Sequence, residues 1–349
     1  MPTDMAVPKS AAALTVARYV LPNTHQSPST PRWYLRTSSF VMVVILLALG
    51  CGTSARKRSK KHISDSTKPI LVHTLQKIQD FPMDGWDLLV HPATVDTGVS
   101  ASIANSGFCC RGTSHFLRHS VRTLQEQRVK SPSKSRLVAL DIGANIGYHT
   151  IELGKLGCRV VAWELLPLNF NILRRNVELN ALSDSVDLVP RGASDQSRST
   201  AVRMHEHSPG MTTIGNGGLP WRMEDVKGEE LKVSPGSVEL ERLGIERVDI
   251  IKIDVEGHEI EALRGFGSLR KLGVKRLHTE FFPAMIEANG HAAVDYLHYL
   301  YEQGLDCFSR FSHELDHRAL LKPEMFEVFT DHKKATQKHT DLYCIMRNE

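Results

Sequence analysis

Patterns that would identify a metal-bound or disulfide-stapled domain are missing from this 349-residue chain. Its six cysteines include no Cys-x-x-Cys pair and no cysteine–histidine spacing typical of a zinc site, so the sequence predicts no metal site. Cys109 and Cys110 are adjacent in a polar segment and could pair with other cysteines or stay free. Cys158 and Cys344 sit in apolar contexts and are expected to be small core residues. The length and the 41% hydrophobic fraction allow one large domain or two ordinary ones and exclude a disordered polymer.

Acidic residues are almost absent from the first 63 residues, which contain nine Lys or Arg and only Asp4. This segment therefore carries a net charge of +8, whereas residues 64–349 hold 34 basic and 38 acidic residues, a net charge of −4. The basic character belongs to a tail. Its basic cluster lacks interleaved aromatic residues and a recognition element, which argues against nucleic acid as the partner. Attraction to an anionic membrane surface explains such a cluster more simply.

The N-terminal apolar run is short: Phe40–Leu49 falls well below the roughly 20 residues that cross a bilayer. No charge occurs from Thr37 to Ala55, however, and this window predicts a single membrane-spanning segment or signal anchor over residues 39–55. A cleaved targeting peptide, which would deliver the body to an organelle, is one alternative. A buried core helix is another. Basic residues after the segment outnumber those before it, which favours the cytosolic side for the body.

Four regions follow from these patterns: a disordered basic tail (1–38), the spanning segment (39–55), a basic linker with a helical lead-in (56–130) and an α/β domain (131–349). The amphipathic stretches Ile70–Ile78 and His115–Gln127 are expected to be helical. In the body, apolar strands alternate with helical patterns, which predicts a doubly wound, mostly parallel sheet. Residues 196–240 are expected to form an irregular surface excursion or lid. The predicted strands are 137–142, 159–164, 186–189, 248–254, 274–281, 305–311 and 342–346, and the predicted helices are 148–156, 167–182 and 256–263.

A glycine-containing turn, DIGANIG (141–147), lies where the first predicted strand meets a helix. Gly143 and Gly147 permit a tight turn and a close approach of the backbone to a ligand. Because the turn has only two glycines, it does not match the Gly-x-Gly-x-x-Gly of dinucleotide-binding turns.

Three acids surround that turn. Glu164 ends the second predicted strand, where its carboxylate can accept hydrogen bonds from ribose hydroxyls. Asp141 enters the turn, and Asp254 closes the fourth strand at the same crevice. Carboxylates there repel a pyrophosphate and attract an ammonium and a sulfonium, which favours S-adenosylmethionine over NAD. The alternatives are a helix-capping role for Asp141 and a solvated strand end for Glu164.

Three stretches resemble the FkbM family of S-adenosylmethionine-dependent methyltransferases. They are VALDIGANIGYHT (138–150), the VVAWE strand with Pro167 and the Asn-rich helix after it, and DIIKIDVEGHEIEALRG (249–265). The resemblance spans about residues 136–283 and departs from the family where Leu165, rather than proline, follows Glu164. It implies a class I methyltransferase fold, a Rossmann-like, doubly wound sheet of seven strands whose last strand, Leu342–Met346, is antiparallel.

The resemblance also implies an O-methyltransferase acting on a sugar, a glycan or a small molecule, with S-adenosylmethionine as cofactor. The turn residues would lie by its methionine and ribose, Glu164 on the ribose hydroxyls, and Asp195 by the adenine. Asp254 would face the amino-acid part or the reaction centre. The predicted cofactor-binding residues are Asp141, Gly143, Asn145, Gly147, Glu164, Asp195 and Asp254.

An alcohol acceptor also needs a general base to take its proton. Asp254, His258 and Glu280 are the candidates, all near strand ends, although His258 could instead be an exposed helix residue. Lys252 should project to the same side of its strand as Asp254 and tune that acid. Two other functions stay open: an NAD-dependent oxidoreductase, and a non-catalytic, membrane-anchored scaffold that keeps the fold.

Overall fold

The computed structural model describes residues 68–74, 77–78, 81–82, 85–129, 135–205, 208–214, 223–225, 231–311 and 319–347. All of them belong to one compact unit, Lys61–Glu349. The predicted tail (1–38) and the predicted spanning segment (39–55) lie outside the described residues. In the part of the chain that is described, no helix combines the length and the apolar character needed to cross a membrane.

The lead-in begins with four short strands, β1 (Ile70–His73), β2 (Lys77–Ile78), β3 (Phe81–Pro82) and β4 (Asp87–Val90). β1 pairs antiparallel with β4, and β2 with β3. The helix predicted over Ile70–Ile78 is therefore wrong. A run this short does not distinguish the helical period from the strand period, and pairing with a later segment decides the outcome.

Two helices complete the lead-in, α1 (Val99–Ser106) and α2 (Arg111–Val129). α2 contains the stretch His115–Gln127, so the prediction of a helix there is confirmed. Phe116 and Leu117 of α2 are fully buried in one apolar cluster with residues of the α/β domain. The lead-in is thus part of the core rather than a separate arm.

The α/β domain opens with β5 (Val138–Ile142), α3 (Tyr148–Lys155), β6 (Arg159–Trp163), α4 (Pro167–Leu179) and β7 (Val186–Val189). These elements follow the predicted ones closely. The apolar runs of β5 and β6 are buried, as expected for central strands of a parallel sheet. Pro167 stands at the start of α4, where its missing N–H costs no hydrogen bond.

The segment after β7 is more regular than its glycines suggest. It forms β8 (Gly192–Ser194), β9 (Arg198–Thr200), β10 (Val202–His205), β11 (Ser208–Ile214), β12 (Met223–Asp225), β13 (Leu231–Pro235) and α5 (Gly236–Arg242). The strands build two small sheets, β8-β13-β9 and β11-β10-β12. The prediction of an irregular excursion is therefore wrong. A small apolar cluster of Val202, Ile214, Leu231 and Val233 stabilises these strands through contacts between residues distant in sequence.

The last part of the chain contains β14 (Ile250–Ile253), α6 (Glu259–Arg264), β15 (Arg276–Phe281), α7 (Pro283–Ala288), α8 (Ala293–Glu302), β16 (Leu305–Phe308), β17 (Leu320–Leu321), α9 (Phe326–Thr336) and β18 (Thr340–Met346). A short 3-10 helix, Pro323–Met325, precedes α9. α6 begins three residues later than predicted because Glu256 and Gly257 have positive φ angles of 55° and 95°, which a right-handed helix does not accept.

The main sheet of the described residues has eight strands in the order β17-β16-β18-β15-β14-β5-β6-β7. Parallel pairing joins β15, β14, β5, β6 and β7. β18 is antiparallel to both of its neighbours, β15 and β16, as predicted for the last strand. The expected seven strands become eight because Leu320–Leu321 adds β17 beside β16.

A disulfide joins Cys307 of β16 to Cys344 of β18, two residues that face each other in register. Cys344 is buried in the core, as expected, and the disulfide to Cys307 adds to that expectation. Cys158, in contrast, is buried and free, as expected.

Apolar clusters cover both faces of the sheet. Ile151 of α3 and Leu173 of α4 belong to the cluster on one face, and Leu263 of α6 and Leu297 of α8 to the other. Each such side chain contributes about 1.5–3 kcal/mol when fully buried. The helices therefore hold the strand ends, and the loops that follow them, in fixed positions.

Candidate functional site

The carboxyl ends of β5, β6, β14 and β15 meet around a cavity of about 310 Å³. In open α/β sheets, ligands bind in the crevice beyond these strand ends. The lining residues with polar or reactive side chains include Cys109, Cys110, Asn145, His149, Glu164, Lys252, Asp254, Glu256, His258, His278, Glu280 and Asp341.

The turn after β5 requires its glycines. Gly143 has a φ of +79°, and a Cβ there would lie 1.9 Å from the carbonyl oxygen of Asp254. Gly147 has a φ of +92°, and a Cβ there would lie 2.5 Å from Leu173 Cδ1. Between them, Asn145 has a positive φ of 52°, and its buried side-chain oxygen has no hydrogen-bond partner. The turn therefore brings backbone and an unsatisfied polar atom to the cavity wall.

Asp141 is fully buried and does not itself line the cavity. Its carboxylate accepts a 2.5 Å hydrogen bond from the Thr150 hydroxyl and lies 3.4 Å from Lys252 Nζ. The partners of the Asp141 carboxylate are thus a side-chain hydroxyl and an ammonium. A helix-capping carboxylate would instead accept a hydrogen bond from a backbone N–H group. Asp141 therefore positions Lys252 beneath the site.

Lys252 lines the cavity and links three groups. Its ammonium donates to the Gly143 carbonyl at 2.9 Å and lies 3.7 Å from Asp254 Oδ2, so the predicted pairing with that acid is present. Burial alone would lower the pKa of Lys252, but the carboxylates of Asp141 and Asp254 outweigh it and raise the pKa. Lys252 is therefore a fixed positive charge under an acidic wall.

Glu164 follows β6 directly and is 8% exposed. One carboxylate oxygen accepts from the Asn145 N–H at 2.8 Å, and the other from the Leu166 N–H at 2.8 Å. Burial raises the pKa of Glu164 to about 7, although these two bonds pull it down. Each oxygen keeps a lone pair for a ligand hydroxyl.

Three carboxylates form an acidic edge on the other side of the cavity. The oxygens of Asp254, Glu256 and Glu280 lie within 4.8 Å of one another, close enough to share a cation. Burial raises the pKa of Glu280 well above its ordinary value, and the neighbouring carboxylates of Asp254 and Glu256 raise it further. The edge attracts positive charge and can accept a proton.

His258 lines the cavity but is only 2% exposed, so the alternative of an exposed helix residue is wrong. Its Nε2 lies 3.1 Å from the Ser194 hydroxyl, and its Nδ1 lies 3.6 Å from a Glu261 carboxylate oxygen. Burial lowers the pKa of His258. Both ring nitrogens thus have protein partners.

Asp195 is not among the residues that line the cavity. Its carboxylate lies 3.6 Å from Arg198 Nη1 and accepts a 3.3 Å bond from the Ser194 hydroxyl. Asp195 is nevertheless linked to the predicted site residue His258, because the Ser194 hydroxyl lies within hydrogen-bond distance of both side chains.

A second cluster, formed by residues of the lead-in and α3, has no role in the predictions made from the sequence. The ligand atoms of Cys109, Cys110 and His149 lie within 4.8 Å of one another, and all three residues line the cavity. His149 Nδ1 lies 3.0 Å from Glu152, which also accepts a 2.6 Å bond from Arg118. No spacing rule reveals this cluster, because its members come from two separate elements.

The thiol and imidazole of this cluster shift each other's titration. A hydrogen bond from Cys109 lowers the pKa of Cys110 to about 5, against the effect of burial and with help from His149. Burial would lower the pKa of His149, but its bonds to Cys110 and Glu152 raise it to about 9.

Residues 141–306 match the family model described as the methyltransferase FkbM domain. This segment, slightly less than half of the chain, is similar to that methyltransferase domain. The observed fold agrees with the one that the resemblance implies, since the sheet is mostly parallel and its antiparallel strand lies between β15 and β16.

Solved structures with a similar fold include cofactor-bound Rv0187 from MTB, at 14% identity and a TM-score of 0.38, covering 69% of this chain and 83% of that one. An O-methyltransferase from Bacillus cereus in complex with SAH has 14% identity and a TM-score of 0.37, with coverage of 69% and 83%. An rRNA methylase from Streptococcus thermophilus has 10% identity and a TM-score of 0.35, with coverage of 68% and 95%. Among curated proteins, none matches this chain.

The segment that matches the family model contains every site residue predicted from the sequence. Cys109 and Cys110 precede it, and Asp341 follows it. The matched segment therefore builds the cavity together with the lead-in and β18.

Proposed function

We propose that this protein is an S-adenosylmethionine-dependent methyltransferase that acts on a hydroxyl group of a sugar, a glycan or a small molecule. The observation that carries this proposal is the arrangement of the Gly143 turn between the buried Glu164 carboxylate and the acidic edge. When bound, S-adenosylmethionine supplies a methyl group on a positively charged sulfur.

The residues present fit this cofactor. Glu164 can accept hydrogen bonds from the ribose hydroxyls. The unsatisfied oxygen of Asn145 offers an acceptor to an ammonium or a hydroxyl. Asp254 and Glu256 supply the negative charge that stabilises a cationic ligand. The volume of about 310 Å³ lies at the lower end of the range for small-molecule sites.

Glu280 is the residue best placed to accept a proton from the acceptor. It lines the cavity, its carboxylate oxygens lie within 4.8 Å of those of Asp254 and Glu256, and a positioned carboxylate can act as a general base. His258 is less suited, because both of its ring nitrogens have protein partners. Positioning the acceptor in line with the methyl group supplies the rest of the rate.

The same acids argue against NAD. A pyrophosphate beside the Gly143 turn would face Glu164, Asp254 and Glu256, and the repulsion between like charges in a partly buried site is strong.

The proposal is tested by calorimetry with the full chain in mild detergent. Wild type should bind S-adenosylmethionine saturably at one site. Gly143→Ala should abolish binding, because the new Cβ collides with the Asp254 carbonyl. Gly244→Ala is the matched control, since Gly244 also has a positive φ (+63°) but has nothing within 4 Å of its Cβ position.

Failure of folded wild type to bind S-adenosylmethionine, or saturable binding of NADH instead, would overturn the proposal. A panel of sugars and polyols with labelled cofactor then identifies the acceptor. Binding without methyl transfer to any acceptor would indicate the scaffold function instead.

We also propose that residues 39–55 anchor the protein in a membrane with the domain on the cytosolic side. The uncharged window and the basic residues after it support this placement. The full chain should resist carbonate extraction from membranes, and a chain lacking 39–55 should not. The domain should be digested when protease is added outside intact microsomes. The Cys307–Cys344 disulfide favours the opposite side, because structural disulfides are rare in the cytosol, so digestion only after the membrane is opened would contradict the cytosolic placement.

A further inference from the structure

Two thiols and an imidazole lie close together in the cavity wall. No other described cysteine lines this cavity. Cys109 and Cys110 lie between α1 and α2, and His149 is the second residue of α3. Adjacent side chains on an extended chain point to opposite sides. Here Cys110 has a positive φ of 50°, and both sulfurs lie within 4.8 Å of His149.

The imidazole of His149 is held in one orientation. Its Nδ1 lies 3.0 Å from Glu152 Oε2, which leaves Nε2 as its second ligand atom. Glu152 is fully buried and is itself fixed by Arg118 Nε at 2.6 Å and by the Ser114 hydroxyl at 3.0 Å. A carboxylate behind an imidazole is the usual arrangement for a metal-binding histidine, because it fixes the tautomer and the ring.

A carboxylate also orients a histidine that activates a single thiol nucleophile. The presence of two sulfurs next to the ring distinguishes a metal site from a single thiol nucleophile. A nucleophile needs one thiol, whereas a metal site uses both, and here both sulfurs lie within 4.8 Å of the imidazole and both residues line the cavity. The geometry therefore favours a metal ion over a nucleophile.

The donor set selects the metal. Two sulfurs and one imidazole nitrogen suit zinc and other soft or borderline ions, and do not suit magnesium or calcium. Among the described residues, the group contains these three ligands and no fourth. Three protein ligands with one open position are typical of catalytic zinc sites, whereas structural sites have four.

We propose that Cys109, Cys110 and His149 bind a zinc ion whose fourth coordination position opens into the cavity. All three ligands line that cavity, so the open position faces the space beside Asp254 and His278. A zinc ion held there would keep that position for a water molecule, as catalytic zinc sites do. The oxygen of an acceptor can replace this water, a step that rests on the proposed methyl transfer, whereas metal binding itself does not.

The test uses the reduced full chain in detergent. After removal of metal with a chelator, Zn²⁺ should rebind at one ion per chain, measured by mass spectrometry of the metal content. Co²⁺ in its place should give a thiolate-to-cobalt charge-transfer band. That band separates this site from the carboxylates of Asp254, Glu256 and Glu280, which would give none.

Variants locate the site. Cys110→Ser and His149→Ala should lose the band, and Glu152→Gln should weaken Zn²⁺ binding by about 10–100-fold, as expected for a group that orients a ligand. Cys158→Ser is the matched control, because Cys158 is a free, buried cysteine outside the cluster. It should bind Zn²⁺ as wild type does.

A wild-type measurement guards against variants that fail to fold. Zn²⁺ should protect Cys109 and Cys110 from alkylation, read by peptide mass spectrometry, and should leave Cys158 unaffected. No bound metal with reduced thiols, a Cys109–Cys110 disulfide, or metal binding that survives in both ligand variants would overturn the proposal. Zinc binding without cofactor binding would instead contradict the proposed function, so the two failures are distinguishable.

Discussion

The buried carboxylate of Glu164 combines two opposing effects. Two backbone N–H groups stabilise its charged form, yet burial prevails and its pKa rises to about 7. The charged groups that act on it are Lys252, which lowers this pKa, and Asp141, which raises it. Near neutral pH, Glu164 is therefore divided between a form that can bind hydroxyls strongly and a form that cannot.

Cofactor affinity should therefore depend on pH through Glu164. With a pKa of about 7, the carboxylate is mostly protonated at pH 6 and mostly ionised at pH 8. Affinity for S-adenosylmethionine should rise about tenfold between these values, because the ionised fraction of Glu164 rises from about one-tenth to about nine-tenths. Calorimetry at both pH values checks this. Glu164→Gln should bind weakly and lose the rise; an equal rise in the variant would assign it to another group.

Replacing Glu280 by Gln tests the proposed base. Glutamine keeps the shape but cannot take a proton, so kcat should fall about 10²–10⁴-fold while cofactor affinity stays unchanged. Glu287→Gln is the control, since Glu287 pairs with Lys334 at 2.6 Å on α7 and does not line the cavity. Initial rates with an acceptor from the sugar and polyol panel give the comparison. An unchanged kcat would place the base at Asp254 or elsewhere.

Two of the arginine–carboxylate pairs of α2 differ strongly in burial. Arg118 and Glu152 join α2 to α3 at 2.6 Å with both side chains fully buried. Arg122 and Glu126 lie one turn further along at 2.9 Å, with side chains 56% and 63% exposed. The first pair joins the lead-in to the domain, as does Arg128 of α2 with Asp249 at 2.8 Å, whereas the second pair lies within α2.

Replacing the arginine of each pair should lower the free energy of unfolding by different amounts. Arg118→Met should lower the free energy of unfolding by about 3–5 kcal/mol, because it leaves the Glu152 charge buried without its partner. Arg122→Met should change it by less than about 0.5 kcal/mol, since exposed pairs contribute little. Urea unfolding followed by circular dichroism measures both. Equal effects would mean that the Glu152 charge is compensated without Arg118.

Local pattern predicted β5, β6 and β14 and the acids at their ends. Apolar runs such as Val138–Ile142 carry enough signal, and the acid after each run falls at a strand end by chain order alone. The strands β8–β13 were missed because each is short and is stabilised by partners distant in sequence. α6 begins later than predicted because the backbone of Glu256 has a left-handed conformation. The residue type does not predict this conformation.

The metal-type cluster was missed for a related reason. Cys109 and His149 meet only because α2 packs on α3, and spacing rules describe ligands on one local segment. A vicinal cysteine pair followed by an amphipathic helix was the only signal available. Asp195 stays a predicted site residue: its carboxylate lies near Arg198 and is linked to His258 through the Ser194 hydroxyl.

At the scale of the whole molecule, β18 connects the two parts of the main sheet. It pairs with β15 on one side and with β16 on the other, and the Cys307–Cys344 disulfide joins it to β16. The two cysteines are 37 residues apart, so the bond restricts a long segment of the unfolded chain.

Reduction of this disulfide should destabilise the protein by about 3–4 kcal/mol, the value expected for a closed loop of that length. Urea unfolding with and without reductant measures the difference. Cys307→Ala/Cys344→Ala should unfold at the reduced midpoint in both conditions. A wild-type midpoint that does not move with reductant, or two alkylatable thiols in the untreated protein, would show that the bond does not form.

The central place of β18 has a consequence for how the protein is made. Thr340–Met346 comes after every other described strand in the chain, yet it lies between β15 and β16. On the ribosome, those two strands emerge with their facing edges unpaired, and they wait until almost the whole domain has been synthesised. During that interval the nascent chain exposes edges that favour aggregation, so its yield in cells should depend on chaperones that shield it until β18 arrives.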